Sequence, residues 1–275
     1  MIDRLYARAL LLAMGLTCAA ATAALATGAN DATGDAEELV TLRVESDGPR
    51  RTYFATPKRP GHIEIELRLV DARNVHAIPA LPLRAVLSGE RARQVVALLP
   101  ANPALESSYG LGLKALPGRP LARAAVLPFT YRRPLPAHVR AAVGQGAGGP
   151  THRQPQSFHA MDFEVPDGTT VVAARDGQVI DVVMGFEGGG LRPEFDGKAN
   201  LIRIEHADGT MALYVHLAPR SALVRIGDRV SAGQPLAKSG HTGYATGPHL
   251  HFAVQINQEF SLVSIPFELE RAVRR

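Results

Sequence analysis

Leu201-Ile202-Arg203-Ile204-Glu205-His206-Ala207-Asp208-Gly209-Thr210-Met211-Ala212-Leu213-Tyr214-Val215-His216-Leu217 contains two strand-like runs joined by Asp-Gly. That dipeptide suits the tight turn of a β-hairpin, because glycine takes the positive φ the turn requires. Outward from this hairpin the same grammar recurs. Val171 to Ala174, Gln178 to Val183 and His249 to Ile256 are further strand candidates, separated by Gly227-Asp228 and Ala232-Gly233-Gln234-Pro235 turns. Gly185 to Asn200 is a glycine-rich insertion, expected to form a mobile surface loop.

Upstream, Leu39 to Val44 and Ile63 to Leu69 alternate apolar and polar residues with period two, the mark of half-buried strands. Val95 to Leu99 and Val126 to Tyr131 read the same way, and no segment there sustains a helical period. The fold class expected is therefore all-β, with a small sandwich-like N-terminal domain over 37–140 and an antiparallel β domain over 151–275. The glycine run Gly144-Gln145-Gly146-Ala147-Gly148-Gly149-Pro150 is expected to mark the linker, over 141–150.

Composition narrows the function classes. A chain of 275 residues with 46% hydrophobic and 20% charged residues has the make-up of an ordinary globular protein. The net charge of +4 comes without a dense Lys/Arg stripe, and there is no Trp, so nothing supports nucleic-acid binding. Arg4 and Arg8 precede the apolar run Ala9 to Leu16, and Ala24-Leu25-Ala26 offers a small-residue cleavage site. This is the order of a secretory signal peptide over 1–26, followed by a small, polar lead-in over 27–36. The apolar core is too short to span a bilayer comfortably, so no stable membrane span is expected in the mature protein, which is placed in the periplasm or outside the cell. The single cysteine, Cys18, lies within this segment, so a mature chain has no thiol for metal binding. Any metal site must then use histidine and carboxylate.

Seven of the ten histidines fall after residue 150. On a strand, residues two apart share a face, roughly 6–7 Å from each other, so His249 and His251 project together while Leu250 and Phe252 enter the core. A satisfied polar pair is the competing reading, although buried imidazoles without partners are costly. The three earlier histidines, His62, His76 and His138, are far apart in sequence, and the first domain reads as structural or positioning.

Three further segments occur in a fixed order: Asp162-Phe163-Glu164-Val165-Pro166-Asp167-Gly168-Thr169, Leu213-Tyr214-Val215-His216-Leu217, and Ser239-Gly240-His241-Thr242-Gly243 leading into His249-Leu250-His251-Phe252. Together they resemble the lysostaphin/LytM-type zinc endopeptidases, which cleave peptides of bacterial peptidoglycan, over roughly residues 144–267. The resemblance implies Zn2+ held by Asp162, His251 and an early histidine, with His216 and His249 as catalytic residues that do not bind the metal. It implies that His249 acts as general base and that His216 stabilises the oxyanion or orients the water. One position departs from the family pattern: the residue four before Asp162 is Phe158, not His. His152, in Gly149-Pro150-Thr151-His152, is the expected replacement, and His159 is the alternative. His206 reads as structural, His241 as structural or substrate-contacting, and Tyr214 as packing.

The implied function is hydrolysis of peptidoglycan stem or cross-bridge peptides. Two alternatives stand beside it. One is a catalytically degenerate module that binds cell wall or activates amidases; the other is a secreted protease with protein substrates. The exact bond, the oligomeric state and any restraint by the first domain are not legible in the sequence.

Overall fold

Alternating β-branched and polar residues build the strands, and the computed structural model, which describes residues 36–270, has no regular secondary structure but strands apart from a four-residue helix α1 (Ala36–Leu39) and two 3-10 turns. Two units are separated at Pro117/Gly118: residues 36–58 with 62–117, and residues 59–61 with 118–270. The expected signal peptide, and all of the expected lead-in except Ala36, lie outside the described residues. Among the described residues, no helix is long and apolar enough to cross a membrane.

The first unit contains β1 (Val40–Asp47), β2 (Arg50–Pro57), β3 (His62–Arg73), β4 (Val75–Ile78), β5 (Leu83–Ser88), β6 (Arg93–Pro100) and β7 (Ser108–Pro117). They form one sheet in the order β1-β2-β6-β4 and another in the order β5-β3-β7. The period-two pattern of β3 buries Ile63, Ile65 and Leu67. These meet Tyr53, Val96 and Leu98 of the other sheet in one core.

In the second unit the strands are β8 (Thr130–Tyr131), β9 (Ala142–Gln145), β10 (Met161–Glu164), β11 (Thr170–Val172), β12 (Gly177–Val183), β13 (Leu201–Glu205), β14 (Met211–Val215), β15 (Arg229–Val230), β16 (Pro235–Lys238), β17 (Leu250–Gln258), β18 (Ser261–Ser264) and β19 (Glu268–Leu269). The main sheet runs β15-β12-β13-β14-β17-β10-β9, with β18 also on β17, and its pairings are antiparallel. Ile202, Ile204, Tyr214, Leu250, Phe252 and Val254 fill the core beneath it. Each such side chain contributes about 1.5–3 kcal/mol by leaving water. The Tyr214 hydroxyl accepts the Ala174 N–H at 2.8 Å, so its burial leaves no orphaned oxygen there.

The opening hairpin forms as read. Gly209 has φ +86°, and Asp208 Oδ1 accepts the Thr210 N–H and hydroxyl at 3.0 and 2.7 Å. β13 and β14 then pair from Leu201↔Val215 to Glu205↔Met211.

Two boundaries differ from expectation. The glycine run does not separate the units: it lies inside the second, and Ala142–Gln145 pairs with β10. Of the run Val126 to Tyr131, only Thr130–Tyr131 is a strand, paired parallel to β19. Pro128 interrupts the rest, since it has no N–H for a ladder.

Candidate metal centre and its flanking histidines

The register of three neighbouring strands assembles the site. On β17, His251 lies opposite Asp162 of β10 on one side and Val215 of β14 on the other. His216 follows Val215 directly, and His249 precedes β17 through a bridge to Gly240. Alternation on β17 sends Leu250 and Phe252 into the core and leaves His251 on the site face.

His152 arrives from a loop, not a strand. Successive turns, Gly149 N–H to Gly146 O at 3.1 Å and His152 N–H to Gly149 O at 3.0 Å, coil the glycine run back toward β10. A Cβ at Gly149 would lie 2.8 Å from Gln145 Oε1 and 3.1 Å from Gly146 O, so a larger residue there would push the Gln145 side chain aside. The result brings one donor atom each from His152, Asp162 and His251 within 4.8 Å of one another. His159 is not in the group. Its backbone N–H donates to Ser264 Oγ at 2.9 Å and its ring lies edge-on to Phe158.

The contacts of this triad fit a cation. His152 Nδ1 lies 3.0 Å from the Gly146 carbonyl, which can only accept, so the proton sits on Nδ1. In the neutral ring the Nε2 lone pair then faces Asp162 Oδ1 at 3.1 Å, a contact that either a second proton on the ring or a bound cation satisfies. Asp162 Oδ1 also meets His251 Nδ1 at 2.9 Å, while Oδ2 accepts the Gln145 amide at 3.1 Å. Burial works against the Asp162 carboxylate, but hydrogen bonds from His152 and His251 outweigh it and hold its pKa well below the usual range. For His152 burial is again the largest single force, but Asp162 together with backbone hydrogen bonds to Gly146 and Ala160 outweighs it and raises the pKa. Burial pushes His251 the other way, so it favours the neutral form. An anionic carboxylate and two imidazoles, with no thiolate among them, make a hard-to-borderline donor set suited to a divalent metal.

His216 and His249 stand beside the triad, their rings 4.5 Å apart, and His216 is 5.9 Å from His251. Each turns Nδ1 onto a backbone carbonyl: His216 onto Thr242 at 2.7 Å, His249 onto Gly247 at 2.9 Å. In a neutral ring that contact keeps the proton on Nδ1 and leaves the lone pair on Nε2, and His249 Nε2 lies 3.9 Å from Asp162 Oδ2. Burial, followed by the neighbouring His249 and His251, lowers the His216 pKa to about 3, so this ring is neutral at ordinary pH.

Residues 156–261 match the profile of Peptidase family M23. That stretch lies within the C-terminal unit and within the region whose motifs resemble the lysostaphin/LytM type. The matched stretch includes Asp162, His216, His249 and His251 but begins after His152. Among similar proteins, a glycyl-glycine endopeptidase, ALE-1, of Staphylococcus capitis is 38% identical over 102 residues, 37% of this chain and 25% of that protein. The peptidoglycan DD-endopeptidase ShyA of Vibrio cholerae is 33% identical over 103 residues, 38% of this chain and 21% of that protein. An uncharacterized metalloprotease of Buchnera aphidicola is 31% identical over 110 residues, 40% of this chain and 26% of that protein. The chain thus spans about a quarter of the length of these relatives. Among solved structures, the lysostaphin catalytic domain of Staphylococcus simulans is 29% identical, with a TM-score of 0.33, 43% of this chain and 81% of that chain being covered.

Of the other residues singled out in the sequence, Tyr214 is core, and His206 is buried with Nδ1 donating to Asp176 O at 2.8 Å. His241 is exposed and pairs with Asp167 at 2.8 Å. The glycine-rich insertion is tied at several points: Asn200 holds Phe186, and Gly188 and Gly190 bond Gly243. Sequence reading missed Gln145, Asn200 and Thr242. Each is an ordinary loop or strand-end residue by composition, and only the fold shows what its side chain reaches.

Proposed function

We propose that the chain is a secreted or periplasmic zinc endopeptidase that hydrolyses peptide bonds in peptidoglycan stem or cross-bridge peptides. The observation that carries this reading is the convergence of His152, Asp162 and His251 beside two histidines that turn Nδ1 onto backbone carbonyls and so leave Nε2 to handle protons. Relatives named for glycyl-glycine and DD-endopeptidase activity support the substrate class. The signal-like segment over 1–26 supports export, and peptidoglycan lies outside the cytoplasm.

His152 through Nε2, Asp162 through Oδ1 and His251 through Nδ1 would hold the zinc, leaving a further position open as hydrolytic sites require. When bound, zinc acidifies water and polarises a carbonyl. His249, with Nδ1 fixed on Gly247, takes a proton at Nε2 as general base and returns it to the leaving amine. His216 in the same tautomer offers an acceptor, not a donor, at Nε2. It is therefore suited to orienting the attacking water, and less so to donating to an oxyanion. The Gln145 amide occupies Asp162 Oδ2 and so leaves Oδ1 as the ligand oxygen.

The test is the full chain, zinc-loaded, on isolated peptidoglycan and on an unstructured protein such as casein. New muropeptides that vanish with chelator and return with zinc are expected. A stoichiometrically metal-loaded protein that releases none would overturn the reading, and cleavage of casein alone would favour a general secreted protease.

A further inference from the structure

The backbone at His216 lies in the left-handed region, with φ +61°, although histidine has a Cβ. Such a residue persists only where its surroundings over-determine it. Here they do so through two buried residues. Asn200, 0% exposed, grips Leu217, the residue after His216, from both ends. The Asn200 carbonyl accepts the Leu217 N–H at 3.1 Å, and Asn200 Nδ2 donates to the Leu217 carbonyl at 3.2 Å. The same side chain closes the insertion by pairing with Phe186, accepting its N–H at 2.9 Å and donating to its carbonyl at 2.8 Å.

Thr242, 2% exposed, completes the frame. Its hydroxyl donates to the Leu217 carbonyl at 2.8 Å and accepts the Asn200 N–H at 3.0 Å. Its own carbonyl is the acceptor for His216 Nδ1. The peptide carrying that carbonyl is held on its far side as well, because the Gly243 N–H donates to Gly188 O at 3.0 Å. Gly243 must be glycine: φ is +82°, and a Cβ would lie 2.6 Å from Ala199 Cβ.

We propose that Asn200 and Thr242 are positioning residues that fix His216 in its left-handed backbone and in the Nδ1–H tautomer, so that Nε2 is presented as a proton acceptor. This rests on the peptidase reading only for its effect on rate. The tautomer itself is independent of activity, and hydrogen bonding to a fixed carbonyl is what selects it. Neither residue touches the metal triad.

The experiment uses the full chain with 15N-labelled histidine. In the wild type, the His216 ring is expected as a single Nδ1–H species near neutral pH; a dominant Nε2–H species overturns the proposal without any variant. Thr242→Val removes the hydroxyl at nearly constant shape, and Thr242→Ser restores it. In metal-loaded protein, Thr242→Val is expected to mix the tautomers and to lower kcat about 10- to 100-fold, short of the loss from removing the base itself. KM and metal stoichiometry should stay within about twofold, and Thr242→Ser should recover the wild-type spectrum and most of kcat. A Thr242→Val protein that keeps the single tautomer and full kcat overturns the proposal. So does one that loses activity only in step with its metal. If the wild type cleaves no peptidoglycan, the peptidase reading fails, while the tautomer comparison still decides the positioning role.

Discussion

On one side of the site, His152 and His251 each turn a ring nitrogen onto Asp162 Oδ1, at 3.1 and 2.9 Å. On the other, His216 and His249 turn Nδ1 onto the carbonyls of Thr242 and Gly247, at 2.7 and 2.9 Å. All four are imidazoles, linked ring to ring by separations of 5.0 Å (His152 to His251), 5.9 Å (His251 to His216) and 4.5 Å (His216 to His249), and the atom opposite each Nδ1 or Nε2 separates them. A carboxylate oxygen shared by two rings concentrates negative charge and invites a cation. A backbone carbonyl only fixes a tautomer, leaving Nε2 as a neutral base. The proposed division of labour follows these hydrogen bonds, and substitutions on the two sides should fail in different ways.

The largest effects belong to the carboxylate side. Asp162→Asn and His152→Ala should each take metal content from about one per chain toward zero and abolish hydrolysis, because a three-ligand site does not survive the loss of one. His159→Ala should retain full metal, as His159 lies outside the triad. Elemental analysis of the three purified variants checks this. Equal metal in His152→Ala and wild type would break the comparison, since it would place His152 with the tautomer-fixed histidines.

On the carbonyl side, His249→Ala should keep its metal and lose about 10²- to 10⁴-fold in kcat, the usual worth of a general base. His216→Ala should also keep its metal, with a smaller loss in kcat. Parallel loss of metal and rate in either variant would erase the distinction between the two sides.

Much of this was legible in the sequence because strand geometry is so regular. His249-Leu250-His251 and the Asp-Gly hairpin need only period two and a turn rule to place them, and His152 followed from the family resemblance and the absence of a histidine at position 158. The remainder depends on tertiary closure. Glycines at 144–149 read as a linker because nothing local shows that they coil against Gln145 and β10. Val126 to Tyr131 was apolar enough for a strand, but Pro128 interrupts it and its neighbours lie more than a hundred residues away at β19. Asn200 and Thr242 matter through backbone groups of Leu217, and no side-chain pattern advertises a contact with a main-chain carbonyl.

Gln145 links the two kinds of region. Its amide donates to Asp162 Oδ2 at 3.1 Å, while Oε1 accepts the Thr151 N–H and hydroxyl at 3.2 and 3.1 Å, next to His152. It therefore orients one proposed ligand and holds the loop that delivers another. Gln145→Ala should weaken metal affinity about 10- to 100-fold, the range for partners of metal ligands, measured by competition with a chelator. Unchanged affinity would mean that the loop holds His152 unaided.

The smallest effect sharpens the comparison from outside the site. His206 is anchored like His216 and His249, with Nδ1 donating to the Asp176 carbonyl at 2.8 Å, yet its Nε2 is sealed in protein without a partner. Burial lowers its pKa to about 4. The unfolded chain binds a proton near pH 6.5 that the folded chain refuses until about pH 4, so stability falls as pH drops through that window. The expected contribution is about 2 kcal/mol between pH 7 and pH 4.5. His206→Asn keeps a donor near the Asp176 carbonyl and removes the titration, so its urea-unfolding stability should fall by about that much less over the same range. Identical pH profiles for variant and wild type would show that His206 is protonated in the folded protein. Anchoring Nδ1 on a carbonyl would then not suffice to keep a buried ring neutral, and the same inference at His216 would lose its support.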